Sequence, residues 1–204
     1  MQLTILGSGT AIPSLKRGAP GYLLKVGTDL VVIDPGPGTL HRLLAKGVTH
    51  DQVTHIFCTH NHLDHIGELA AWLFVSRIPA SARRAPLTIA GSAGFMQMLS
   101  SLRALYGHWL DAATYTLTLL TMDAATAAPV AFDGWKVQAF PVNHIGSSLA
   151  YRFTDAAGRV FAFTGDTDAS PKLVDLARGA DLLLIEASTP DGAKLEGHLT
   201  PSDR

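Results

Sequence analysis

Apolar runs separated by glycine turns divide the chain into short strands, and several of these are followed by apolar positions at helical spacing. Residues 2–6, 21–26 and 29–33 predict three strands joined by turns, and residues 40–46 predict a first helix with Thr39 as its N-cap. Further strands are predicted at residues 53–59, 87–90, 115–120, 135–142, 149–153, 159–164 and 181–187, further helices at residues 67–77 and 92–106, and a small-residue turn at residues 124–130.

Strand and helix segments alternate in both halves of the chain, and the last strands form a hairpin pattern in the second half. This pattern predicts a mixed α+β or α/β fold, with two sheets packed face to face and helices outside, in a four-layer αβ/βα sandwich. The sequence has 204 residues, of which 47% are hydrophobic, so the core material suffices for a single domain over residues 1–204.

Charge and cysteine usage restrict the classes of partner. The net charge of −1 gives no general attraction for nucleic acid or an anionic membrane surface. The single cysteine, Cys58, lies in an apolar strand and cannot form an internal disulfide, which fits a reducing compartment. No secretory signal and no apolar run of roughly 18 residues is present. We therefore expect a cytoplasmic protein with no membrane partner.

Residues 60–65 read His-Asn-His-Leu-Asp-His and directly follow the apolar residues 55–59. Imidazole nitrogens and carboxylate oxygens are ligands that Zn²⁺ and related ions accept. His60 and His62 share a face of an extended chain, whereas the adjacent Asp64 and His65 diverge and could serve a second ion. Two metal ions are therefore plausible; the alternative is a chance cluster of surface polar residues or of hydrogen-bonded histidines.

The second half supplies further ligand types, each after a predicted strand: His144, Asp166 and His198. Strand ends of packed sheets converge on one rim, where such folds bind ligands. Asp34 and Glu186 lie near the same rim and could accept hydrogen bonds from ligand imidazoles, which would fix their orientation. The remaining candidates are interpreted as ordinary histidines or turn residues: His41, His50, His55, His108 and Asp168.

The order of these elements resembles the metallo-β-lactamase fold superfamily and, more narrowly, its ribonuclease Z-like branch. The residues 60–65 motif carries the wider resemblance. The narrower one covers residues 2 to about 200 and rests on the following segments: residues 6–10, 32–36, 165–167, 185–187 and 197–200, together with His144. The resemblance implies a four-layer sandwich of the metallo-β-lactamase type and a dinuclear metal centre, with Zn²⁺ as the expected ion and Mn²⁺ as the alternative.

The resemblance also implies a role for each candidate residue. One ion would be held by His60, His62 and His144, and the other by Asp64, His65 and Asp166, with Asp166 bridging the two. The two ions would provide a nucleophile from water at neutral pH and stabilise a phosphodiester during displacement. Asp64 would orient or deprotonate the water, and His198 would stabilise the phosphoryl oxygens or protonate the leaving group.

Two features depart from the family's pattern. Ribonuclease Z enzymes that process transfer RNA carry a long flexible arm, commonly between the residues that match His144 and Asp166, but here only residues 145–165 separate them. The family also has a helix, a strand and a final histidine ligand beyond the residues that match the end of this sequence. We therefore expect that the last C-terminal elements are lacking and that the second metal site is incomplete.

The leading hypothesis is a dinuclear metal-dependent hydrolase of the phosphodiesterase class that acts on a small phosphodiester or nucleotide-type substrate and not on transfer RNA. Three alternatives stay open. The chain could be a transfer-RNA 3′-processing endoribonuclease, a hydrolase of thioesters, lactones or carboxylic esters, or a non-catalytic metal-binding fragment. A second copy of the chain is a further candidate partner, in a homodimer.

Overall fold

Two separate β-sheets contain all the strands in the computed structural model, which describes residues 1–122, 124 and 128–203. The first sheet has six strands in sequential order, and the second has five. The mixed class with two sheets is confirmed. Strands and helices alternate in the first half, whereas in the second half four strands within residues 130–163 precede the one α-helix that the structure describes there. Residues 125–127 of the turn expected at residues 124–130 fall outside the described residues, and Val130 belongs to a strand.

The first sheet lies within one compact unit, Gln2–Thr121. Its first three strands form an antiparallel meander, and the following strands are parallel to β3. The strands are β1 (Gln2–Gly7), β2 (Gly21–Val26), β3 (Asp29–Ile33), β4 (His55–Phe57), β5 (Leu87–Gly91) and β6 (Leu117–Thr121). The helices are α1 (Thr39–Leu44), α2 (Leu63–Ile66), α3 (Leu69–Val75) and α4 (Ala93–Tyr106), with single 3₁₀ turns at Pro79–Ser81 and Gly107–Leu110.

The core of this unit explains why β3, β4 and β5 are continuous apolar runs. Their register places Val32 beside Ile56 and Ile56 beside Ile89, and all three side chains are fully buried. Helix α3 packs Trp72 and Leu73 into the same cluster. The successive residues Val31, Val32 and Ile33 are all fully buried, and strands that are buried on both faces carry mostly apolar side chains, so strict alternation is absent.

Two local details differ from the sequence expectation. The helix predicted at residues 67–77 is observed as α3, Leu69–Val75, and a separate helical turn, α2, precedes it. The two are not continuous because the N–H of Glu68 donates to the backbone oxygen of Pro35 (3.0 Å). Helix α1 has Gly38, at a φ of 84°, in the N-cap position, and the Thr39 hydroxyl donates to the backbone oxygen of Gly36 (2.7 Å). Thr39 is therefore the first helical residue and not the cap.

The second unit consists of Met1 and the residues from Met122 onward. Strands β7 to β10 are antiparallel, and β11 runs parallel to β10 at the edge of the sheet. The elements are β7 (Val130–Phe132), β8 (Trp135–Pro141), β9 (Leu149–Asp155), β10 (Val160–Phe163), α5 (Lys172–Ala177) and β11 (Leu182–Leu184), with 3₁₀ turns at Asp191–Ala193 and Pro201–Asp203.

The hairpin of β9 and β10 was predicted from the sequence, whereas β7 and α5 were not. Helix α5 has only six residues, too few for a clear apolar period, and it buries Leu176 against Ala150 and Ala162. Strand β11 is shorter than the predicted residues 181–187. The chain after β11 is thus free to form the loops that carry several candidate site residues.

The described helices are short, and the longest, α4, has 14 residues. A helix that crosses a bilayer needs about 20 mostly apolar residues. In the part of the chain that the structure describes, no helix is long and apolar enough to span a membrane. A single domain over residues 1–204 stays a prediction.

Candidate metal centre

The histidine-rich segment, residues 60–65, runs from the loop after β4 into helix α2 of the first unit. The sequence suggested that His60 and His62 share a face of an extended strand. Strand β4 instead ends at Phe57, so both histidines lie in the loop beyond it. Their rings are nevertheless adjacent, with centroids 4.7 Å apart, and the ring of His65 lies 4.2 Å from that of His60. The structure therefore brings the three imidazoles of the motif together.

The buried carboxylate of Asp34 holds this segment in place through hydrogen bonds. It accepts a hydrogen bond from the Thr59 backbone N–H, one from the Thr59 hydroxyl and one from Nδ1 of His65, each at 2.8 Å. Asp34 is fully buried, and its backbone has a φ of 54°, a left-handed conformation that is unfavourable outside glycine. A strained backbone at this point indicates that the position of the carboxylate is fixed by its surroundings.

These hydrogen bonds determine which imidazole nitrogen carries the proton. A carboxylate only accepts, so Nδ1 of His65 must be the donor and Nε2 keeps its lone pair. The Thr59 hydroxyl gives its proton to Asp34 and therefore accepts from Nδ1 of His60 (3.0 Å). His60 and His65 thus both have Nε2 as the ligand-competent atom, the arrangement typical of metal-binding histidines.

Asp64 is positioned by a close backbone approach. A side chain at Gly36 would bring its Cβ to 2.0 Å from the backbone oxygen of Asp64 and 2.4 Å from that of Pro20, so only glycine fits. The Asp64 carboxylate lies in the first turn of α2, 3.7 Å from Nε2 of His65, and is partly exposed. It therefore stands beside the histidine ligand group of its own unit.

A second group lies entirely in the other unit. Candidate ligand atoms of Asp166, Glu186 and His198 all fall within 4.8 Å of one another. The carboxylate of Asp166 is 3.9 Å from Nε2 of His144 and 4.0 Å from Nδ1 of His198. The loops after β8, β10 and β11 therefore converge here, as the rule of strand ends predicts.

The histidines of this second group are oriented in the same way as those of the first. The His144 ring donates through Nδ1 to the backbone oxygen of Gly197 (2.9 Å), and His198 donates through Nδ1 to Glu186 (3.1 Å). Because both acceptors lack a proton, Nε2 of each ring keeps its lone pair in the neutral form. Glu186 is itself fixed by the backbone N–H of Thr167 (2.7 Å).

Gly197 shows why the loop before His198 needs glycine. Its φ is 82°, which side chains disfavour, and an added Cβ would lie 3.1 Å from Nδ1 of His144. The sequence analysis identified His144 and His198 but not Gly197 or Thr59, which hold the imidazoles. Only the adjacency of Thr59 to His60 could have indicated its role.

An ion-pair network borders the second group. Nζ of Lys194 lies 2.9 Å from Asp168 and 2.8 Å from Asp203. The Asp203 hydrogen bond, followed by that of Asp168, raises the pKa of Lys194, and the Lys194 hydrogen bond is the main cause that lowers the pKa of Asp168. All three groups are therefore charged near neutral pH.

The donor set fits divalent metal ions. Imidazoles whose Nδ1 protons are held by acceptors present Nε2 lone pairs, and carboxylates stand beside them in each unit. The structure brings His60, His62, Asp64 and His65 together in one unit, and His144, Asp166 and His198 together in the other. Every candidate site residue thus belongs to one of two histidine and carboxylate groups.

Comparison with known proteins agrees with this chemistry. A family profile described as "Beta-lactamase superfamily domain" matches residues 30–204. A protein named Ribonuclease Z from Mycobacterium bovis is 31% identical over 195 residues, which cover 90% of this chain and 69% of that protein. The chain belongs to the β-lactamase superfamily, in its ribonuclease Z-like branch.

Solved structures support the same family. The structure of the short form of human tRNase Z aligns with a TM-score of 0.81 and 26% sequence identity. The alignment covers 99% of this chain and 85% of the tRNase Z chain. The metallo-β-lactamase fold protein YhfI from Bacillus subtilis aligns with a TM-score of 0.83 over 98% of this chain and 78% of the YhfI chain. At 18% sequence identity this alignment shows similarity of fold alone. The metallo-β-lactamase fold is therefore confirmed, and the relatives are metal-dependent hydrolases, as predicted for this chain.

Proposed function

We propose that this chain is a phosphodiesterase that depends on two divalent metal ions. The single observation that supports it most is the tautomer pattern: His60, His65 and His144 each have Nδ1 engaged as a donor, the tautomer in which Nε2 is the metal-binding nitrogen. A cluster of merely hydrogen-bonded surface histidines has no need for a buried, strained carboxylate such as Asp34. Zn²⁺ is the expected ion, with Mn²⁺ as the alternative.

The ligand assignment is carried over from the family. In this proposal His60, His62 and His144 would hold one ion, Asp64, His65 and Asp166 would hold the other, and Asp166 would serve both. Bound divalent ions supply a nucleophile from water at neutral pH and charge that stabilises a phosphoryl group.

The side chains of the chain divide the proton transfers between them. Asp64 is partly exposed beside His65, which suits a carboxylate that orients the attacking water and accepts its proton. His198 is partly exposed and is held by Glu186 through Nδ1. In the protonated imidazolium form, which the Glu186 carboxylate stabilises, Nε2 would carry the proton that passes to the leaving oxygen or would donate to the phosphoryl oxygens.

The proposed substrate is a small phosphodiester or a nucleotide-type molecule. Between His144 and Asp166 the chain forms the hairpin of β9 and β10. The family resemblance implies that transfer-RNA-processing enzymes commonly carry their arm between the matching positions. The net charge of −1 also provides little general attraction for a phosphate backbone. Both observations favour a small substrate.

A substrate panel tests the proposal. Protein loaded with zinc or manganese should hydrolyse bis(p-nitrophenyl) phosphate far faster than a thioester or a lactone, and a chelator should abolish that activity. Preference for the thioester or lactone would replace the proposal with the ester-hydrolase alternative. Metal binding without turnover of any substrate would favour the non-catalytic alternative.

Transfer-RNA 3′ processing is the second candidate function, because the relatives of 31% identity carry the name Ribonuclease Z. Incubation with a precursor transfer RNA at physiological salt separates the two. We expect poor 3′ trimming alongside cleavage of the small phosphodiester. Efficient trimming under these conditions would establish the second candidate. A cytoplasmic location and a homodimer stay predictions.

A further inference from the structure

Asp168 connects three loops of the second unit, although the sequence analysis assigned it to a turn. Its backbone N–H donates to the backbone oxygen of Asn143 (2.6 Å), the residue before His144. Its carboxylate accepts from the backbone N–H of Gly197 (3.3 Å), the residue before His198. Asp168 itself follows Asp166 by two positions. It therefore contacts the loops that carry all three candidate site residues of this unit.

Lys194 completes the connection. Its Nζ lies 2.9 Å from the Asp168 carboxylate and 2.8 Å from that of Asp203, which also accepts from the backbone N–H of Thr200 (2.9 Å). The segment from Lys194 to Thr200 is thus held at both ends, with His198 between them. This segment contains no strand and only isolated turns, so side-chain contacts are what fix its course.

The fixed segment in turn orients a candidate ligand. The backbone oxygen of Gly197 accepts from Nδ1 of His144, while the N–H of the same residue donates to Asp168. The Gly197 backbone therefore connects the Asp168 carboxylate to the His144 ring through two hydrogen bonds. A shift of the Gly197 peptide would disturb the tautomer and direction of His144 and the position of His198 together.

We propose that Asp168 and Lys194 are positioning residues that hold His144 and His198 in place for the reaction. This inference rests on the proposed phosphodiesterase function. Neither residue touches the reacting atoms in this proposal, and both act through the peptide of Gly197. Both side chains are partly exposed, and exposed ion pairs contribute little to stability. The main effect of their loss should therefore be on turnover and on loop order, and not on the melting temperature.

The test compares Lys194→Met, which removes the cation but keeps the length of the side chain, with Lys194→Arg, which keeps the charge. Lys194→Met should lower kcat for bis(p-nitrophenyl) phosphate by about tenfold with KM little changed, the pattern expected when only transition-state interactions are lost. Lys194→Arg should recover most of that loss. Asp168→Asn, which keeps an acceptor for Gly197 but loses the charge, should give an intermediate value.

Two readouts do not depend on activity. In metal-free protein, Lys194→Met should increase amide hydrogen exchange at Gly197 and change the ¹⁵N signals of His144, which report the proton on Nδ1. The matched control is Asp175→Asn. It removes an exposed carboxylate of α5 that lies 3.7 Å from the Arg178 guanidinium, and it should change none of these values.

The outcomes separate the two proposals. If the native protein has no phosphodiesterase activity but Lys194→Met still disturbs Gly197 and His144, the proposed function fails while the positioning role stands. If Lys194→Met turns over the substrate at the native rate, or leaves the exchange of Gly197 and the His144 signals unchanged, the positioning role is wrong. A fall in activity that Lys194→Arg does not recover would also contradict it.

Discussion

The two units hold their histidines by the same chemistry but on different supports. In the first unit, a buried carboxylate, Asp34, accepts three hydrogen bonds and fixes both the Thr59 to His60 chain and His65. In the second, the backbone oxygen of Gly197 and the less buried Glu186 hold one ring each. One support is a single central residue, and the other is spread over loops.

This difference has a physical consequence. In the first unit His60, His65 and the supporting Asp34 are all buried, so the order of this group follows from burial and from hydrogen bonds in a dry environment. The loops of the second unit depend on partly exposed contacts such as those of Lys194, which solvent weakens. We therefore expect the first group to be more rigid and less tolerant of substitution than the second.

Replacing Asp34 should have the largest effect. Asp34→Ala would leave the Thr59 N–H, the Thr59 hydroxyl and Nδ1 of His65 without their buried acceptor, which we expect to lower the free energy of unfolding by about 3 kcal/mol or more. Metal content should also fall, because the rings lose their orientation. Chemical denaturation and elemental analysis measure both. A stability loss below about 1 kcal/mol, no more than the loss of one ordinary hydrogen bond, would contradict the central role of Asp34.

Replacing His62 should remove most of the bound metal without unfolding the chain. Its ring is exposed and stands beside His60, so His62→Ala loses a ligand and little packing. Elemental analysis after removal of excess zinc measures the loss. His41→Ala is the matched control, since His41 is exposed on α1 and belongs to neither group. Unchanged metal content in His62→Ala would defeat the ligand assignment.

Glu186→Gln should have a smaller effect than Asp34→Ala, which sharpens the comparison of the two supports. The amide keeps the size and one acceptor oxygen, but it holds the His198 ring less strongly than a carboxylate does. We expect kcat to fall by about tenfold, about 1.4 kcal/mol of barrier, with the melting temperature little changed. Steady-state kinetics and thermal unfolding together measure this. A large loss of stability would show that Glu186 supports the unit as Asp34 supports its own.

Acid should weaken the second unit through Asp155. Burial raises the pKa of this carboxyl, but the hydrogen bonds from Arg159 and the N-terminal amine outweigh burial and lower the pKa to about 2 from its ordinary value of 3.8. A lowered folded-state pKa stabilises the fold above about pH 4, and that contribution is lost as the pH falls toward about 2. Asp155→Asn should reduce the dependence of the free energy of unfolding on pH between about pH 4 and pH 2. An unchanged profile would contradict the assignment.

Much of the first unit could be predicted from the sequence because its signals are local. The strands at residues 21–26 and 29–33 match β2 and β3 to the residue, and the ligand types of residues 60–65 are adjacent in the chain. The break between α2 and α3 at Glu68 could not be predicted, because the backbone N–H of Glu68 donates to the backbone oxygen of Pro35, a residue distant in sequence.

In the second unit the decisive contacts join residues far apart in the chain. The ring of His144 is held by Gly197, and Asp168 connects Asn143 with Gly197 and Lys194. No periodicity or motif records such pairs, since each depends on how the loops return. The sequence therefore identified His144, Asp166 and His198 as candidates and Glu186 as a possible acceptor, but not the supporting roles of Gly197 and Asp168.

The most direct test of the central claim is the turnover of a chromogenic phosphodiester by metal-loaded native protein, by chelated protein and by Asp64→Ala, measured side by side. We predict turnover only in the metal-loaded native protein. Asp64→Ala should keep its fold and most of the first metal but lose more than about a hundredfold in kcat, the loss expected for a general base. Turnover that survives chelation, or an Asp64→Ala protein within about tenfold of the native rate, about 1.4 kcal/mol of barrier, would contradict the account.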